Sequence, residues 1–143
     1  MVLSFFRIGR GHMTLGEIIA EVNETKPNTY DDGLFIKWLS QQDGRVFNDV
    51  IMTHEHALVE DEDGNLVEPE FHGYTDNSLN DELLICEPYT DTYRYYLDAM
   101  IDYSNGETDR YQNSMLMYNN AYQEYKNYYN RTVKPLQKPL VLF

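Results

Sequence analysis

Tyr111, Met115, Tyr118, Tyr122, Tyr125 and Tyr129 follow one another at spacings of 4, 3, 4, 3 and 4 residues. Only a helix returns residues so spaced to one face, and a seam of this kind needs another helix to cover it. A long final helix is therefore expected from about Glu107 to Asn130. Its partner is written just upstream. Tyr89, Tyr93, Tyr96, Leu97, Met100 and Ile101 make one helical face, and Asn105-Gly106 is a natural stop before the long helix begins.

The rest of the chain is organised around this pair. Thr14 and Glu17 have capping-box spacing at the head of "MTLGEIIAEV", where Leu15, Ile18, Ile19 and Val22 form a short amphipathic face. That helix should end near Thr25, because Pro27 biases Lys26 away from helical geometry. Asp31 or Asp32 can cap a second helix carrying Phe35, Ile36, Trp38, Leu39, Val46, Phe47, Val50 and Ile51, with Gly44 as a weak point within one helix. "HALVEDEDGNLVEPEF" predicts two short strands around an Asp63-Gly64 or Gly64-Asn65 turn, followed by loop and a short extended piece, Leu83–Ile85. After Thr132, "VKPLQKPLVLF" has two prolines and no acid, and is expected to be an extended tail.

The expected fold is mainly α: a small helical bundle with a long C-terminal helix, an inserted acidic β-hairpin or loop, and an extended C-terminal tail. Residues 13–132 form the helical domain, with 56–87 as the insertion and 133–143 as the tail. Residues 1–12 are expected to be a non-native extension. "GRGH" before Met13 can be encoded by purine-rich codons resembling a ribosome-binding site, and Met13 opens the capped helix.

Charge narrows the function. The net charge is −13, and no lysine or arginine occurs between Arg45 and Arg94, an interval holding thirteen acids. Such a surface repels phosphate backbones, which argues against gripping a duplex. Cys86 is the sole cysteine, so an internal disulfide is excluded, and a small apolar residue before the Glu87-Pro88 turn accounts for it. No apolar run has transmembrane length.

Motifs of chemistry fail one by one. Asp61, Asp63 and Asn65 match positions 1, 3 and 5 of a calcium-binding EF-hand loop, but Leu66 stands where its glycine is needed and His72 where its bidentate glutamate is needed. A hairpin tip explains the acids better. His54 and His56 would share one side of a strand, yet His72 and Cys86 stand at no zinc-binding spacing from them. No phosphate-binding glycine loop or nucleophile elbow occurs, so neither cofactor nor metal nor enzymatic activity is expected.

Eleven of the thirteen tyrosines lie between Tyr89 and Tyr129. Tyrosine suits a surface that is dry against a partner and wet elsewhere. Tyr95, Tyr103 and Tyr128 lie off the main seams; they are expected to be the more exposed rings of an isolated chain and to form a subunit interface.

The stretches "LSQQDGRVFND", "EPYTDTYRYYLDAMIDYSNGE" and "YYNRT" are the most specific parts of a resemblance running from about Met13 to Pro135. They resemble the head–tail connector, or adaptor, proteins of long-tailed bacteriophages and prophages of Gram-positive bacteria. The resemblance implies a small helical protein forming a ring of about twelve copies beneath the portal. It would bridge the portal to the next neck or tail component and leave a channel through which DNA passes without specific binding. The implied location is the neck of the virion, after assembly in the host cytoplasm, with no membrane involved. In that setting Glu60, Asp61, Glu62 and Asp63 would face the channel. Arg131, Lys134, Leu136, Lys138, Leu140, Val141, Leu142 and Phe143 would dock onto the portal or a neighbouring subunit. Two other classes stay open. One is a small acidic inhibitor from a mobile element that mimics DNA, with Asp61–Asp63 as phosphate surrogates. The other is a small hydrolase using His54, His56 and an acidic partner.

Overall fold

The computed structural model describes residues 11–136. The chain runs through β1 (His12–Thr14), α1 (Leu15–Thr25), α2 (Asp32–Asp49), β2 (Val59–Glu60), β3 (Leu66–Val67), β4 (Glu82–Cys86), α3 (Asp91–Ser104) and α4 (Thr108–Thr132), with short 3-10 turns at Ile51–Thr53 and Asp76–Ser78. It is mainly α, with a long C-terminal helix and an inserted acidic hairpin.

Local chemistry sets the helix ends. The Thr14 hydroxyl accepts from the Glu17 amide at 3.2 Å, while the Leu15 and Gly16 amides donate to the Asp81 and Leu79 carbonyls at 3.1 and 2.9 Å. The free donors of the first turn of α1 are thus satisfied partly by its own cap and partly by the loop before β4. Asp31 caps α2 through the Leu34 amide at 3.1 Å. Gly44 does not interrupt α2. Gly106, at φ +73, turns the chain between α3 and α4 in the left-handed conformation open to glycine.

Leu15, Ile18, Phe35, Leu39, Ile51, Leu83, Ile85, Leu97 and Ile101 fill the centre, and α4 closes it by packing chiefly along α3. β4 is the extended piece expected near Leu83–Ile85. It pairs antiparallel with β1, His12 opposite Cys86 and Thr14 opposite Glu82, with an irregularity between them. Gly11 and His12, the last residues of the supposed extension, take part in this pairing: the Glu87 amide donates to the Gly11 carbonyl at 2.8 Å, and His12 Nδ1 lies 2.9 Å from the Leu83 carbonyl. The first ten residues lie outside the described part of the chain.

The seam on α4 holds over its second half and not its first. Tyr118, Tyr122, Tyr125 and Tyr129 are buried, whereas Tyr111 and Met115 are half-buried. Tyr111 packs instead on Tyr103 at the turn end of the α3–α4 hairpin, with ring centres 5.4 Å apart. Tyr128 departs from expectation. It is 5% exposed, because Tyr89 lays its ring against it at 5.0 Å, while His54 meets the neighbouring Tyr129 at 4.7 Å. The C-terminal end of α4 is flanked on two sides, so two adjacent rings are buried there rather than one.

Candidate interaction surfaces

The most built-up polar feature is internal. Asp43 is fully buried on α2, and its carboxylate receives donors from three other segments. The Tyr93 hydroxyl of α3 donates to Oδ1 at 2.5 Å, the Leu84 amide of β4 donates to Oδ2 at 3.1 Å, and the Tyr74 hydroxyl also donates to Oδ2. Tyr93 in turn accepts from the Ile85 amide at 2.7 Å. Burial pushes the Asp43 carboxyl up to about 6, against the opposing pull of its three donors, and burial beside Asp43 raises both phenols well above their ordinary value. The same logic recurs one residue away, where Tyr118 of α4 donates to the Gln42 side-chain oxygen at 2.6 Å. Tyrosine stands in this core because its hydroxyl can satisfy buried polar groups that leucine would strand. The sequence held a signal for it: Asp43 lies four residues after Leu39 and four before Phe47, on the apolar stripe of α2.

The Tyr74 contact anchors a strap, residues 69–74, across α2. The Tyr74 amide donates to Ser40 Oγ at 3.1 Å, and Phe71 stacks on Phe47 at 5.9 Å. Gly73 sits at φ +80, and a Cβ there would stand 2.6 Å from Ser40 Oγ. Gly73→Ala is expected to lower the unfolding free energy by about 1–3 kcal/mol, read by urea denaturation. An unchanged midpoint would mean that the strap is not held against α2. Between strap and helix lies an open groove of 740 Å³, with Phe47, Met52, Pro69 and Phe71 among its lining residues.

The hairpin of β2 and β3 pairs Val59 with Val67 and Glu60 with Leu66. Asp61 Oδ1 accepts from the Asp63 and Asn65 amides at 3.0 and 2.8 Å, and Gly64 turns the chain at φ +80. The Asp61 carboxylate is therefore engaged in the turn itself, as side chains of aspartate commonly are. Glu60, Asp61, Glu62 and Asp63 are all exposed at the tip. Leu66 is 64% exposed and Leu58 45%, so the hairpin offers apolar surface beside its charge. At its base His56 Nε2 meets Glu68 at 2.6 Å, and that hydrogen bond raises the imidazole above its ordinary value.

The expected interface rings divide three ways. Tyr103 is 67% exposed, Tyr95 is half-buried beneath the Arg94 guanidinium at 4.9 Å, and Tyr128 belongs to the core. Leu116 and Met117, which the seam does not include, are exposed on the outer side of α4.

Of the expected docking residues, Arg131, Lys134 and Leu136 are exposed. The start of the tail lies against the chain's own residues 53–55: the Glu55 amide donates to the Lys134 carbonyl at 2.8 Å and the Leu136 amide to the Thr53 carbonyl at 3.0 Å. Lys138, Leu140, Val141, Leu142 and Phe143 lie outside the described residues.

His54 and His56 do not converge on one ligand site. His54 is buried, with Nδ1 at 2.6 Å from the Val50 carbonyl and Nε2 at 2.7 Å from the Asn130 side chain, while His56 turns to Glu68. Among the described residues no group of three or more His, Cys, Asp or Glu side chains is placed to hold a metal, and no helix is long and apolar enough to cross a membrane. No protein-family model, curated protein or solved structure matches this chain.

Proposed function

We propose that this protein is a head–tail connector that assembles into a ring of about twelve copies beneath a phage portal. The observation that carries the reading is where the two most specific stretches of the resemblance meet. Asp43 lies in "LSQQDGRVFND" and Tyr93 in "EPYTDTYRYYLDAMIDYSNGE", and they join at 2.5 Å in the core. The two stretches that carry the resemblance thus meet in one joint, which orients α2 against α3.

The surfaces suit the role. Tyr103, Tyr111, Leu116 and Met117 offer aromatic and apolar area for lateral contacts between subunits. The acidic tip of the hairpin would repel a DNA backbone moving past it. In a ring, Arg131 and Lys134 would meet acidic groups on the portal.

The test is assembly. The purified chain, mixed with portal-bearing capsids lacking it, should form a ring at the portal vertex visible by electron microscopy. Replacing Glu60, Asp61, Glu62 and Asp63 by their amides should leave the melting temperature within about 2 °C, since all four are exposed. The same change should slow DNA passage or retention, most visibly at low salt. Failure to bind the portal, together with inhibition of a nuclease that depends on the four acids, would favour the DNA-mimic reading instead.

A further inference from the structure

We propose that the groove between α2 and the strap of residues 69–74 is the seat of the chain's own C-terminal segment, residues 137–143. Four observations lead there. The first is direction. Leu136 bonds to Thr53 and Pro135 faces His54 in antiparallel sense, so the chain leaving Leu136 heads toward Met52, which lines the groove.

The second is reach. Seven residues follow Leu136 in the sequence, and an extended chain advances about 3.3 Å per residue, giving a span of roughly 20 Å. The groove runs from Met52, in the turn that follows α2, back along α2 to Ser40, a distance of nearly the same length at about 1.5 Å per helical residue.

The third is chemistry. Leu140, Val141, Leu142 and Phe143 end the sequence, and Phe47, Met52, Pro69 and Phe71 give the groove apolar walls for them. Gln41 and Asn48 on the α2 side can pair with the backbone of an extended segment, and Pro139 removes one donor that would need a partner. The fourth is charge, since Glu70 on the rim faces a segment whose one ionised side chain is Lys138. The inference does not depend on the connector reading, because it concerns the isolated chain.

A nitroxide at Leu142→Cys in the otherwise intact chain tests it, Cys86 being buried and shielded from the label. The amides of Gly44, Asn48 and Gly73 should lose signal severalfold relative to the reduced, diamagnetic sample, and the loss should persist on dilution. Glu70→Lys, at an exposed position, should weaken the effect and shift it toward full signal as salt is lowered. Two results would overturn the proposal. One is full signal at all three amides. The other is a loss that appears only when labelled chains are mixed with separate isotope-enriched ones, which would place the segment on a second copy.

Discussion

Replacing Asp43 by alanine should lower the unfolding free energy by about 3–5 kcal/mol near pH 4.5, and by clearly less near pH 7. The first part follows from what the substitution strands: two buried phenols and the Leu84 amide lose their common acceptor, at about 1–3 kcal/mol for each group left unpaired. The pH dependence follows from the carboxyl itself. Its ordinary value is 3.8 and burial raises it to about 6, so the folded state holds the proton more tightly than the unfolded chain. Its contribution is full below pH 3.8 and is lost as pH rises through about 6. At about 1.4 kcal/mol per pKa unit, that loss amounts to about 3 kcal/mol, and the alanine variant does not suffer it. Denaturant melts of both proteins across this range provide the check. A cost that stays constant with pH would remove the raised carboxyl, and a negligible cost at low pH would remove the joint.

Truncating the aromatic end of α4 should be nearly as severe. Tyr125→Ala and Tyr128→Ala should each cost about 3–5 kcal/mol, the range for deleting a large buried ring. Tyr103→Ala should change monomer stability by no more than about 0.5 kcal/mol, because its ring is largely in solvent. In the connector reading it should instead weaken lateral assembly. The comparison of Tyr128 with Tyr103 is the informative one. Both lie off the helical seams in sequence, yet the Tyr89 ring, reaching from the turn before α3, packs on Tyr128 while Tyr103 stays largely in solvent.

That pair shows what periodicity can and cannot convey. The limits of α1, α3 and α4 were legible because caps, prolines and glycines act within a few residues of themselves. The hairpin was legible from its acids, glycine and flanking apolar pairs. Tyr128 was not, since its burial depends on a ring 39 positions away that no local spacing encodes. β1 was illegible for a similar reason: three residues are too few to show an alternation, and only β4 makes them a strand. Asp43 was visible as an acid on an apolar stripe, but its partners Tyr74 and Tyr93 come from distant segments. The exposed Leu116 and Met117 fall outside the seam spacing, so helical periodicity does not mark them as apolar surface on the outer side of α4.

The pairing of β1 with β4 bears on the order in which the chain can fold. α3 and α4 are neighbours joined by a short turn, so their contacts can form before any distant part of the chain is in place. His12 and the Leu83 carbonyl it meets are 71 residues apart, and closing a loop of that size costs entropy before the contact repays it. The helical hairpin is thus the natural nucleus, and the β1–β4 ladder the late closure that ties the first helix to it. On a ribosome the order of synthesis works the other way, because β4 is made before α3 and α4. The strand that β1 needs is then complete while the helical hairpin is still being written.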